Sequence, residues 1–115
     1  LRPLRANLFY TVASEGLLWA AMITLVIYDI SDDASRTRLS GYLKQYGLRR
    51  VQYSGFRGEL NANDRHVLAQ EVPKFLSAEK DSVYIIPLCS SCLKSISIAS
   101  KKKAEFYEDE RVKIV

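Results

Sequence analysis

Two stretches of this 115-residue chain are apolar, short and crowded with β-branched or aromatic residues: ITLVIYDI at 23–30 and VYIIPL at 83–88. That composition suits a pleated surface better than a helix, and the lengths are those of strands. Both runs are apolar on alternate residues and on the residues between, so both are expected to be buried on two faces and central in a sheet. Helix signals separate them. Ser31-Asp32-Asp33 offers N-cap chemistry, and Leu39, Tyr42, Leu43 and Tyr46 form one stripe over 34–46, closed by Gly47. Asn61–Asp64 is a turn and cap for a second helix over 64–77, with Val67, Leu68, Val72, Phe75 and Leu76 apolar. Pro73 should kink that helix or end it early. Between the helices, RVQYSGFRGEL at 50–60 alternates but slips phase at Gly55, as a bulge or two short strands meeting there would. Residues 89–100 are small and polar and carry no readable pattern. Lys101–Lys103 and the acidic stretch Glu105–Glu110 read as solvated, and Val112–Val115 as a short terminal strand.

The order of elements is that of a split β-α-β sandwich: an α+β, ferredoxin-like βαββαβ fold with a short C-terminal strand. Apolar residues make up 48% and charged residues 26%, which excludes a disordered chain, and the length is that of one domain. Two cysteines and one histidine exclude a disulfide-stapled scaffold and a four-cysteine zinc site. A nucleophile-histidine pair would have to use His66. Seventeen basic against thirteen acidic residues gives +4, which permits an anionic partner without requiring one. The longest apolar run, Leu17–Tyr28, is broken at Thr24 and falls short of the ~18 residues that span a bilayer, so no membrane segment and a cytoplasmic protein are expected. Met22 is the only methionine. Residues 1–21 read as an extension, an expression scar or a start set too far upstream, ahead of a domain at 22–115.

Asp29 closes the first strand at its carboxyl edge. It is either a turn or cap acid for the following helix or a ligand for a hard cation. One carboxylate holds Mg2+ weakly, but two-fold symmetry can bring two copies of one Asp together. Arg36 and Arg38 lie in the first turns of the helix, about 200° apart around its axis, too far for one tight clamp. Arg49 and Arg50 enter the next strand, and Arg57 follows Phe56. Tyr28, Tyr53 and Phe56 interleave with these cations. Such a mixture suits a nucleic acid backbone and its bases, or else an ordinary wet surface over core aromatics. Cys89-Ser-Ser-Cys92 is a single CxxC without a second, read as a pair of partly buried reduced thiols, and His66 reads as structural. No glycine-rich phosphate loop is present.

Taken in order, Ile23–Ile30 with Tyr28-Asp29, Ser31-Asp32-Asp33 with Arg36 and Arg38, Tyr46-Gly47, Val51-Gln52-Tyr53-Ser54-Gly55-Phe56, and Asp81-Ser-Val-Tyr-Ile-Ile-Pro-Leu-Cys-Ser-Ser-Cys resemble the CRISPR-associated protein 2 family. Members of that family are small dimeric subunits of spacer acquisition. The resemblance runs from about Ile23 to Cys92, and residues 1–21 have no counterpart in it. It implies a symmetric homodimer in which the terminal strand, here Val112–Val115, crosses to the partner's sheet. It implies Asp29 from each subunit as a ligand for Mg2+, or Mn2+, at the dimer cleft. Asp29, Tyr28 and Ser54 would be catalytic, and Arg36, Arg38, Arg50 and Phe56 would hold nucleic acid. Gly55 departs from the family pattern, where a β-branched residue is usual, so a loosened strand is expected there. The implied activity is Mg2+-dependent hydrolysis of phosphodiester bonds in single-stranded RNA, or in duplex DNA, in antiviral defence and spacer acquisition. The alternative is a non-catalytic scaffold that binds duplex DNA and bridges integrase subunits.

Overall fold

A computed structural model describes residues 21–101 and the backbone of 113–114. The extension expected at 1–21 therefore lies, apart from Ala21, outside the described residues, as does the acidic stretch after Lys101.

β1 (Met22–Asp29) stops where its apolar run meets Ser31-Asp32-Asp33. α1 (Asp33–Gln45) starts there because the Asp32 side chain accepts a hydrogen bond from the Ser35 N–H at 2.8 Å, satisfying one of the helix's free donors. Gly47, with φ +82°, turns the chain out of the helix in a conformation that side chains resist. β2 (Arg49–Gln52) and β3 (Gly55–Leu60) follow, separated by Tyr53 and Ser54, with a register shift between Arg50 and Gln52. The slip at Gly55 is thus both an irregularity and a junction of two strands. α2 (Ala62–Glu71) is capped by Asn61 through the Asp64 N–H, and Pro73 ends it, diverting the chain into a 3-10 turn at Val72–Phe75. β4 (Ser82–Leu88), the short α3 (Ser90–Lys94) and β5 (Ser97–Ile98) complete the continuous part. β6 (Lys113–Ile114) pairs in parallel with β5 in a separate two-stranded sheet.

The main sheet has the order β2-β3-β1-β4 with every pair antiparallel, a mixed α+β arrangement compatible with the ferredoxin-like fold. β1 is central, as its composition predicts. β4 is not: among the described residues it pairs with β1 alone and lies at an edge.

Period-two alternation explains why. On one face Val26, Tyr28, Phe56 and Leu60 meet Leu39 and Leu43 of α1, Leu68 of α2, and Val72 and Phe75 of the 3-10 turn in one buried core, with Val83 and Ile85 at its margin. The opposite face carries Leu25, Ile27, Tyr84 and Ile86, which sit in register with one another. There Ile27 is 42% exposed and Tyr84 61%. The short α3 covers only one end of this face, packing Leu93 on Ile23 and Leu88. The two apolar runs therefore have two apolar faces, but within one protomer only one is covered.

Candidate active site at the end of the first strand

The last rungs of β1 pair Tyr28 with Val83 and Asp29 with Ser82, while the Tyr28 N–H donates to the Ser54 carbonyl at 3.0 Å. Three segments meet here: the β1–α1 loop, the β2–β3 turn and the start of β4. Alternation sends the two neighbouring side chains to opposite faces. Tyr28 enters the core, 3% exposed, stacked on Phe56 with ring centroids 6.2 Å apart. Asp29 is exposed on the open face, in line with Ile27. The capping role open to Asp29 belongs to Asp32. Among the described residues the Asp29 carboxylate makes no hydrogen bond or ion pair.

The arginines divide by how they are held. Arg36 donates through Nη1 to the Ile30 carbonyl at 2.8 Å and the Ser31 carbonyl at 3.3 Å, and its Nη2 pairs with Asp33. It thereby staples the loop that follows Asp29. Arg50 donates through Nη2 to Ser40 Oγ at 2.9 Å and through Nη1 to the Tyr53 carbonyl, with its guanidinium 4.8 Å from the Phe56 ring centroid. Arg38 is exposed and, among the described residues, donates to Ser35 Oγ alone, at 3.1 Å. Phe56 is fully buried, so its ring faces Arg50 and Tyr28 rather than solvent. Ser54 is half-buried beside Tyr28. The seven residues singled out thus fall at one end of the sheet or along α1 beside it, but only Asp29, Arg38 and Arg50 are exposed there.

One residue of this end was missed. Asp81 Oδ1 accepts from the Ser31 N–H at 3.1 Å and from Ser31 Oγ at 3.0 Å, and Oδ2 accepts from the N–H groups of Ser77 and Ala78, both at 2.9 Å. These donors, the backbone N–H groups of Ala78 and Ser77 foremost, hold its carboxyl well below the usual carboxylate range. Asp81 ties the loop after Asp29 to the loop before β4. Asp81 opens a segment that carries the family resemblance, but an acid ahead of an apolar run is too common to mark it as a clasp.

Asp29 fits a hard cation as one arm of a site: it is an exposed oxygen donor with no competing partner among the described residues. It does not make a complete site within the protomer, because no group of three acidic, histidine or cysteine side chains is assembled among those residues. The thiols of Cys89 and Cys92 are exposed and free rather than partly buried. Cys89 caps α3 by accepting from the Cys92 N–H at 3.4 Å, which lowers its thiol pKa, while the neighbouring Cys89 raises that of Cys92. His66 is exposed on α2.

A helix-covered antiparallel sheet with an exposed acid and several arginines near one end of its central strand defines a small α+β domain. Comparison with known proteins supplies the family. The family described as CRISPR associated protein Cas2 matches residues 22–96, and the chain belongs to it. The CRISPR-associated endoribonuclease Cas2 1 of Archaeoglobus fulgidus is 50% identical over 94 residues, covering 82% of this chain and 100% of that protein. The CRISPR-associated endoribonuclease Cas2 of Korarchaeum cryptofilum is 33% identical over 79 residues, 69% of this chain and 85% of that one. A crystal structure of a hypothetical protein from Thermus thermophilus superposes with a TM-score of 0.55 at 33% identity, over 60% of this chain and 83% of that one. No helix among the described residues is long and apolar enough to cross a membrane.

Proposed function

We propose that this chain works as an endoribonuclease in CRISPR defence, as a homodimer whose two Asp29 carboxylates face each other. The observation that carries this reading is the position of Asp29: free, exposed and on the same uncovered apolar face as Ile27 and Tyr84. A second copy covering that face in an isologous contact would bring the two acids together. The edge of β4 that is unpaired among the described residues supports the same arrangement, since an added strand would use its free backbone groups.

The residues then divide the work. The paired Asp29 carboxylates would hold one Mg2+ or Mn2+, which when bound supplies Lewis-acid stabilisation of charge on the attacked phosphate. Arg38 and the outer edge of Arg50 hold flanking phosphates by charge-assisted hydrogen bonds. Tyr28 and Phe56 act from the core, fixing the strand end against which Asp29 is aimed. Arg36, Ser54 and Asp81 hold the surrounding loops.

A scaffold that binds duplex DNA and joins an integrase subunit is the second reading. It is favoured by the tethering of Arg36 and Arg50 within the protomer and by the lack of a general base among the described residues near Asp29. Incubating the purified protein with labelled single-stranded RNA and with duplex DNA, each with Mg2+ and with chelator, decides between them. The nuclease reading expects cation-dependent fragments from the RNA. Stable complexes with duplex and no fragments under any condition would favour the scaffold.

A further inference from the structure

We propose that Tyr53 is a stacking platform for an unpaired nucleobase beside Asp29. The inference rests on the reading that nucleic acid is held at this end of the sheet.

Three aromatic rings were candidates, and the fold separates them. Tyr28 and Phe56 are core residues, whereas Tyr53 is 75% exposed. The two other large apolar side chains exposed among the described residues, Ile27 and Tyr84, lie on the open face of the sheet, where a second copy would cover them. Tyr53 does not lie there. It sits in the β2–β3 turn, and β2 and β3 are on the opposite side of β1 from the β4 edge.

Exposure alone marks no function, but the backbone that carries this ring is anchored. The Arg50 guanidinium binds its carbonyl from one side, and the next residue, Ser54, accepts the Tyr28 N–H at 3.0 Å. The Arg36 guanidinium carbon lies 6.0 Å from the ring centroid. A rigid turn, an exposed ring and two flanking cations make a surface on which a base stacks while its phosphates meet positive charge. The bond from the Tyr28 N–H to the Ser54 carbonyl joins the residue after Tyr53 to the residue before Asp29. A base inside a duplex has both faces occupied by its neighbours, so the platform favours an unpaired base.

The test is equilibrium binding in chelator, so that nothing is cleaved. Three labelled probes are used: an oligouridylate, an abasic ribose-phosphate oligomer of the same length, and a duplex. Tyr53→Ala should weaken oligouridylate binding about tenfold and leave the abasic oligomer and the duplex within about twofold, while Tyr53→Phe binds all three like the parent. An equal loss across the three probes, or no loss for oligouridylate, overturns the proposal. So does a changed sedimentation coefficient for Tyr53→Ala, which would put the ring in a protein interface. A parent that binds the probes as expected but cleaves no RNA with Mg2+ sinks the nuclease reading and leaves Tyr53 as a base platform.

Discussion

The two faces of the β2-β3-β1-β4 sheet are built from the same kinds of residue and meet different fates. The helix-facing side, with Val26 and Phe56 at 0% exposure and Tyr28 at 3%, is a finished core. The other side carries residues as apolar, yet Ile27 and Tyr84 remain largely uncovered in the protomer. An apolar face held in water gains nothing for a lone chain, so the contrast separates what the chain needs in order to fold from what the proposed dimer would cover. Asp29 lies on the second face and Tyr28 on the first, one residue apart. Adjacent residues of one short motif therefore serve different ends.

Substitutions on each face put that contrast at risk. On the covered face, Phe56→Ala should cost about 3–5 kcal/mol in urea unfolding, because the cavity opens beneath Arg50 and beside Tyr28. On the open face, Ile27→Asp should leave the far-ultraviolet spectrum of the protomer intact and convert dimer to monomer in sedimentation. A stable dimer in that variant would place the interface elsewhere. Gly58→Ala comes next, at about 1–3 kcal/mol, since a Cβ there would stand 3.1 Å from Leu48 Cα and 3.2 Å from the Gly47 carbonyl oxygen.

Asp81 gives a smaller and pH-dependent effect. Its carboxyl pKa is depressed in the folded state, so its contribution is complete above the unfolded value of 3.8 and fades as pH falls below it. Asp81→Asn should lower Tm near neutrality and flatten the further fall of Tm below pH 4. Parallel curves for variant and parent in acid would show that the carboxylate is not what clasps the two loops. The smallest effect should come from Gly55→Ala. The site is buried with ordinary φ, and a Cβ would meet Val51 Cγ2 at 3.6 Å and Gln52 Cβ at 3.7 Å, so stability should rise by about 0.4–1 kcal/mol. The departure at Gly55 loosens the unfolded chain more than it spoils the packing.

The sequence made the covered face readable and the open face not. Caps, glycine stops and Pro73 act within a few residues of themselves, so β1, α1, the break at Gly55 and the end of α2 could be read locally. Whether β4 is central could not, because a strand buried between helices and a strand awaiting a partner have the same composition. Residues 89–100 were opaque because α3 is five residues long and capped by a thiol, an uncommon cap. At the site, the alternation of β1 already placed Tyr28 with Val26 and Asp29 with Ile27, which a stricter use of period two would have turned into a core ring and an exposed acid. The clasp made by Asp81 joins residues 50 positions apart and left no local mark.

The central claim is that catalysis needs one Asp29 from each of two protomers. Parent and Asp29→Asn chains, unfolded together in equal amounts and refolded, should assort into parent, mixed and doubly substituted dimers. If both carboxylates are needed, RNA cleavage with Mg2+ per total dimer should fall to about a quarter of that of an all-parent sample, the share of dimers with two intact acids, while oligouridylate binding in chelator stays unchanged. Activity at about half, the share of intact protomers, would mean that each Asp29 works alone, and undiminished activity would remove Asp29 from the chemistry.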